Sequence, residues 1–138
     1  MAGETFSGGF LCGAVQYEIT GDVLTFLHCH CWRCRKSSGT GHASNLILKP
    51  ETAKWISGEE KLGTLKVPDA KRFRTIFCSA CGSPLPRSAP DMSIAVIPAG
   101  SLDHEPQATP VGRIFGDSKA SWSCDNSDLP TWPEYPPQ

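Results

Sequence analysis

The stretch His28-Cys29-His30-Cys31-Trp32-Arg33-Cys34-Arg35-Lys36 gathers three of the seven cysteines, two histidines and three basic side chains. Cys31 and Cys34 form a C-x-x-C pair, and Cys29 adds a third sulfur two residues upstream. A second C-x-x-C lies in Phe77-Cys78-Ser79-Ala80-Cys81-Gly82. Two sulfurs separated by two residues can both turn onto one ion about 2.3 Å away, and a following glycine or basic residue lets backbone N–H groups face the thiolates. Short cysteine pairs parted by a long spacer are therefore the pattern of a zinc protein. A set of unconnected buried thiols does not predict this pairing.

The elements that must hold these sulfurs are short. The chain has 138 residues, enough for one domain with its own core over 1–138. Apolar residues make up 39%, with 13 glycines and 12 prolines, a balance that favours short strands and turns over long helices. The net charge of −1 gives no reason to expect a nucleic-acid partner. No apolar run approaches the roughly 20 residues that span a bilayer. Met1 to Phe10 has neither a basic nor an apolar signal-peptide region. The expectation is a cytoplasmic protein whose cysteines are ligands or reactive thiols, not disulfides. Oligomeric state is left open.

Residues 1–7 are polar and read as frayed. Val15, Tyr17 and Ile19 alternate with Gln16, Glu18 and Thr20, the pattern of a half-buried strand, and Gly21-Asp22 reads as a turn. Val23 to His28 predicts a second strand running into the cysteine cluster. Trp32 to Ser38 predicts one short helix ended by Gly39. Further strands are expected over His42–Leu48 (stopped at Lys49-Pro50), Lys61–Val67, Arg72–Phe77 and Met92–Ile97. Cys78 to Gly82 should be a tight knuckle. The stretch 101–138 reads as an extended tail packing Phe115, Trp122, Trp132 and Tyr135 on the body. The fold class is mainly β with at most one short helix.

With these residues in view, the chain resembles the glutathione-dependent formaldehyde-activating enzyme family, which also includes centromere protein V. The likeness rests on G-F-L-C-G-A-V-Q-Y from Gly9 to Tyr17, C-H-C-W-R-C-R-K-S-S-G from Cys29 to Gly39, and F-C-S-A-C-G-S from Phe77 to Ser83. Gly116-Asp117, Trp122, Asp128-Leu129-Pro130 and Trp132 also fit. The resemblance implies small zinc-pinned sheets in a β-tent (Mss4-like) fold with two zinc sites. It places a catalytic zinc on Cys29, Cys31 and Cys34. It places a structural zinc on an N-terminal C-x-C and the later C-x-x-C, here Phe10, Cys12, Cys78 and Cys81. Phe10 departs from the family's cysteine and cannot ligate. Water, His28, His30 or Cys124 can fill the gap, the site can be weak or lost, or sulfurs of both clusters can rearrange into one site.

Three thiolates leave one coordination position open, the layout of a catalytic rather than a structural zinc. An electron-rich site of this kind suits a second thiolate better than water. The resemblance names that thiol as glutathione, the electrophile as formaldehyde and the product as S-hydroxymethylglutathione, by carbon–sulfur lyase-type chemistry. Arg33, Arg35 and Lys36 are candidate clamps for the glutathione carboxylates, or else charges that balance a thiolate-rich centre. His28 and His30 are candidate ligands or proton shuttles; His42 and His104 read as surface. Trp32 either shields the metal or lines a substrate groove. Two other readings stand beside the enzyme: a non-catalytic zinc-pinned module that binds a thiol or a protein, and an enzyme for another thiol adduct. The absence of a basic extension disfavours a module for nucleic acid or microtubules.

Overall fold

The computed structural model describes residues 3–70, 73–123 and 129–137, and these form a mainly β structure. Strand β1 (Glu4–Gly9) pairs antiparallel with the first half of β2 (Gln16–Cys29). The chain then makes helix α1 (Trp32–Ser38) and returns along β2 as β3 (Ala43–Ser57). A hairpin of β4 (Leu62–Lys66) and β5 (Arg74–Cys78) forms a separate two-stranded sheet. Strands β6 (Arg87–Ser88) and β7 (Ala95–Pro98) extend the main sheet beyond β3. Finally β8 (Gly112–Ile114) lies parallel to Leu27–Cys29 of β2. The main sheet runs in the order β1-β2-β3-β7-β6, with β8 also on β2.

Val15, Tyr17 and Ile19 are buried, as their alternation predicts. Their sheet face joins Phe6, Leu46, Leu48, Leu85 and Ile97 in the core. Helix α1 has the predicted bounds. Gly39 caps it at φ 70° and donates its N–H to the Arg35 carbonyl, a left-handed position that glycine takes at low cost.

Two expected strand ends are instead strand interiors. Gly21 faces Pro50 in the β2–β3 register, beside a register shift between Thr20 and Gly21. A proline has no N–H to give the ladder, so inside a sheet it belongs at an edge or a bulge. Gly21 lets the strands close there: a Cβ would come within 2.3 Å of the Lys49 carbonyl oxygen and 2.8 Å of Pro50 Cα. The Gly-Asp and Lys-Pro dipeptides thus mark one bulge in one long ribbon, not two turns. Two other expectations also fail. Most of the frayed N-terminus is β1, held by its register with Glu18–Gly21. Phe115, Trp122, Trp132 and Tyr135 stay exposed, and part of the tail is instead a strand, β8. Trp122 does touch the body, through the Arg35 guanidinium 6.0 Å above its ring.

Tyr17 is buried, its hydroxyl 2.7 Å from Ser101 Oγ, which itself donates to the Pro98 carbonyl. Burial pushes its phenol from 10.0 up to about 12. The folded value lies above the unfolded one, so this stabilising contribution is complete below pH 10 and is lost as pH rises through 12. Two units correspond to about 2.7 kcal/mol. Tyr17→Phe should therefore remove that share of the alkaline loss, while costing about 1 kcal/mol at neutral pH for the lost hydrogen bond. Urea unfolding of both proteins at neutral and alkaline pH checks this. Identical alkaline slopes would refute it.

Candidate functional site

The end of β2, the start of α1 and a short turn between them bring Cys29, Cys31 and Cys34 together. Their sulfurs all lie within 4.8 Å of one another, with Cys29 and Cys34 buried and Cys31 half-buried. Cys31 caps the helix: its backbone is extended and its sulfur accepts the Cys34 N–H at 3.4 Å. Burial and the neighbouring sulfurs push the Cys34 thiol far up, and burial likewise raises Cys29. At Cys31 burial acts upward too, but hydrogen bonds from the Cys34 amide and from the neighbouring sulfurs outweigh it, so that thiol is lowered. Three sulfurs packed this closely cannot all carry charge unless a cation sits among them. The donor set and its spacing fit a soft or borderline metal ion.

The second cluster forms where the Phe10–Val15 turn meets the end of β5. Sulfurs of Cys12, Cys78 and Cys81 lie within 4.8 Å of one another, with Cys12 3.7 Å from Cys78. Cys78 to Gly82 is the predicted knuckle: the Ala80 amide reaches Cys78 Sγ at 3.3 Å, and Gly82, at φ 77°, donates to the Cys78 carbonyl. Cys78 is buried, while Cys12 and Cys81 are exposed. The Ser83 hydroxyl, 3.1 Å from the Cys81 sulfur, and the Ser83 amide bring that thiol down to about 6. Phe10, 8% exposed, belongs to the core with Phe6 and Leu46. Among the described residues, three ligand atoms converge here and no fourth. Cys124, one candidate for the gap, lies outside the described residues.

A cavity of about 920 Å³ opens beside α1. Trp32, Arg33 and Lys36 of the helix line it, and Arg87 lines it from β6. Leu65, Val67, Phe73 and Phe77 of the hairpin region supply an apolar wall. No aspartate or glutamate lines it among the described residues. Arg33 Nε is buried and makes no hydrogen bond. Arg35 is not among the lining residues: it donates to the Ser118 carbonyl at 3.1 Å and lies over Trp122. Trp32 takes the groove-lining role, with 56% of its surface exposed and the Arg33 guanidinium 5.3 Å from its ring.

Two residues of this site are not evident in the sequence. His42, read there as surface, is half-buried, stacks on His28 at 3.9 Å, lies 5.1 Å from His30 and reaches the cavity. Arg87 is partly buried, its guanidinium 5.8 Å from the Phe73 ring. Burial lowers its pKa. Pro86-Arg87 belongs to no motif. The nearest signal is a cation just past the second C-x-x-C.

A mainly β domain with two three-cysteine clusters and, beside its helix, a cavity lined by cations and apolar residues is the class defined by this geometry. The sequence model of the glutathione-dependent formaldehyde-activating enzyme family matches residues 5–118, and the chain belongs to that family. Among solved structures it is similar to a Rhodobacter sphaeroides protein, at TM-score 0.57 and 18% identity over 78% of this chain and 98% of that one, which is a likeness of fold. No curated protein matches the sequence. Among the described residues, no helix is long and apolar enough to cross a membrane.

Proposed function

We propose that this chain is a zinc-dependent enzyme of the carbon–sulfur lyase type, adding glutathione to a small carbonyl compound and, with formaldehyde, giving S-hydroxymethylglutathione. Cytoplasmic location is part of the same reading. The observation that carries it is the placing of α1 between two environments. Its buried Cys34 completes the three-sulfur cluster, while Arg33 and Lys36 line a cavity whose charged residues are all cations.

Cys29, Cys31 and Cys34 would hold the zinc, which would supply the positive charge that keeps an incoming thiol deprotonated near neutral pH. The chain's own residues do the rest. Arg33, Lys36 and Arg87 line the cavity, so glutathione carboxylates would meet three cationic side chains and, among the described residues, no competing acid. Trp32 would offer its exposed ring as a wall of the groove. Holding thiol and carbonyl together would be the main source of acceleration, and among the described residues His42 brings the one imidazole to the cavity wall. The cysteines of the second cluster would serve as a structural metal site with one position left to solvent.

Calorimetric titration of glutathione into zinc-loaded protein tests this directly, with S-methylglutathione as comparison. Glutathione should bind at least about 100-fold more tightly, because the methyl group removes the thiolate the site is built to receive. Equal affinities would show that the sulfur takes no part and would favour a module that binds peptide-like anions.

A further inference from the structure

The lining of the cavity beside α1 mixes two kinds of side chain, and the proposed chemistry uses only one. Arg33, Lys36 and Arg87 supply cationic groups suited to a tripeptide with two carboxylates. Leu65, Val67, Phe73 and Phe77 supply apolar surface, with Leu11 and Trp32 also on the lining, and the Arg87 guanidinium lies 5.8 Å over the Phe73 ring. These are costly residues to leave wet. Leu11 is 92% exposed, and Leu65 and Trp32 are each 56% exposed. A cavity of about 920 Å³ stands at the upper end of the roughly 300–1,000 Å³ typical of sites for drug-sized ligands. Glutathione is polar along its length, and formaldehyde is a single hydrated carbon. Neither covers an apolar wall, so neither explains why the hairpin presents one.

We propose that the preferred carbonyl partner is an aldehyde with an apolar body, aliphatic or aromatic, and that the cavity is shaped to its glutathione hemithioacetal. This rests on the reading of the site as one that joins glutathione to a carbonyl. The occupant is amphipathic in the same sense as the cavity. Its carboxylates meet Arg33, Lys36 and Arg87, and the substituent on its reacting carbon lies on the wall of Leu65, Val67, Phe73 and Phe77. In the addition, the thiol proton leaves to solvent and a sulfur lone pair forms the C–S bond. The carbonyl π pair moves to oxygen, which takes a proton from water. Nothing is oxidised or reduced and no group leaves. The reverse reaction releases the same aldehyde, so the apolar wall serves both directions.

The experiment measures the approach to equilibrium for glutathione with formaldehyde, propanal, pentanal and phenylacetaldehyde on the zinc-loaded full chain, each rate divided by its uncatalysed rate. Burial of a methylene group should raise the relative kcat/KM about two- to fourfold along the aliphatic series, with phenylacetaldehyde above propanal. Leu65→Ser, on an exposed strand position, should flatten that slope, with far-ultraviolet circular dichroism reporting the fold. Glutathione affinity is measured on the same samples. A flat or falling series with glutathione still binding would overturn the inference and leave the adduct chemistry standing. Loss of both glutathione binding and acceleration with every aldehyde would overturn both. A slope that Leu65→Ser leaves unchanged would also overturn it, because the apolar body would then lie elsewhere.

Discussion

Replacing Cys34 by serine is expected to remove one equivalent of bound zinc and to lower kcat/KM for adduct formation about 100-fold or more. Cys34 is 5% exposed and its sulfur lies within 4.8 Å of both Cys29 and Cys31. A serine hydroxyl has nearly the same shape but is a hard, weakly acidic donor, and it does not replace a thiolate on zinc. Changes one shell further out already cost about 10–100-fold in metal affinity or activity. Loss of a ligand should exceed that. Metal analysis after dialysis and adduct kinetics report the two effects separately. A variant that keeps both its zinc and its rate would remove the three-sulfur cluster from the chemistry altogether.

Phe10 gives the second large effect. Its ring is buried in the core, so Phe10→Ala in the presence of a chelator should lose about 3–5 kcal/mol. Phe10→Cys should lose a similar amount when metal-free, since the same ring is gone. With zinc the two variants should part. A fourth thiolate closes a site in which Cys12, Cys78 and Cys81 already converge, and a closed structural site adds its binding energy to folding. The melting temperature of Phe10→Cys should rise on adding zinc by at least about 5 °C more than that of Phe10→Ala, which corresponds to a difference of 1–2 kcal/mol. Equal shifts would show that the side chain at this position cannot reach the cluster without moving the core.

Where a pattern is local, the sequence reveals it. The end of the helix at Trp32–Ser38 follows from its Gly39 stop, and the knuckle at Cys78–Gly82 follows from a glycine placed to turn, whereas the Cys31 cap shows only in the structure. The alternation at Val15, Tyr17 and Ile19 picks out the buried face of β2. Close spacing lets Cys29, Cys31 and Cys34 meet, and likewise Cys78 and Cys81, whereas Cys12 joins the second pair from 66 residues away, a grouping that only the family resemblance implies. What escaped notice depends on partners distant in the chain. Gly21 and Pro50 read as separate turns because nothing local says that they face each other. Residues 4–9 look frayed until β2 is present to pair with them. His42 gains its role from His28, and Arg87 from Phe73, both brought near by tertiary contacts. A cavity assembled from a helix, a hairpin and a sheet edge has no signature in any one stretch.

The hairpin of β4 and β5 is a sheet of its own, joined to neither β2 nor β3 by strand pairing. The sulfurs of the first cluster sit at the end of β2, on the turn after it and on α1, whereas Leu65, Val67, Phe73 and Phe77 sit on the hairpin and the turn between its strands. On the proposed reading, reactivity and substrate fit are therefore written in different parts of the gene, and substitutions between Leu62 and Phe77 would change which molecule is accepted while Cys29, Cys31 and Cys34 stay as they are. Lineages with this architecture can diversify by editing one short contiguous segment, and a library confined to that segment is the economical way to retarget the protein in the laboratory.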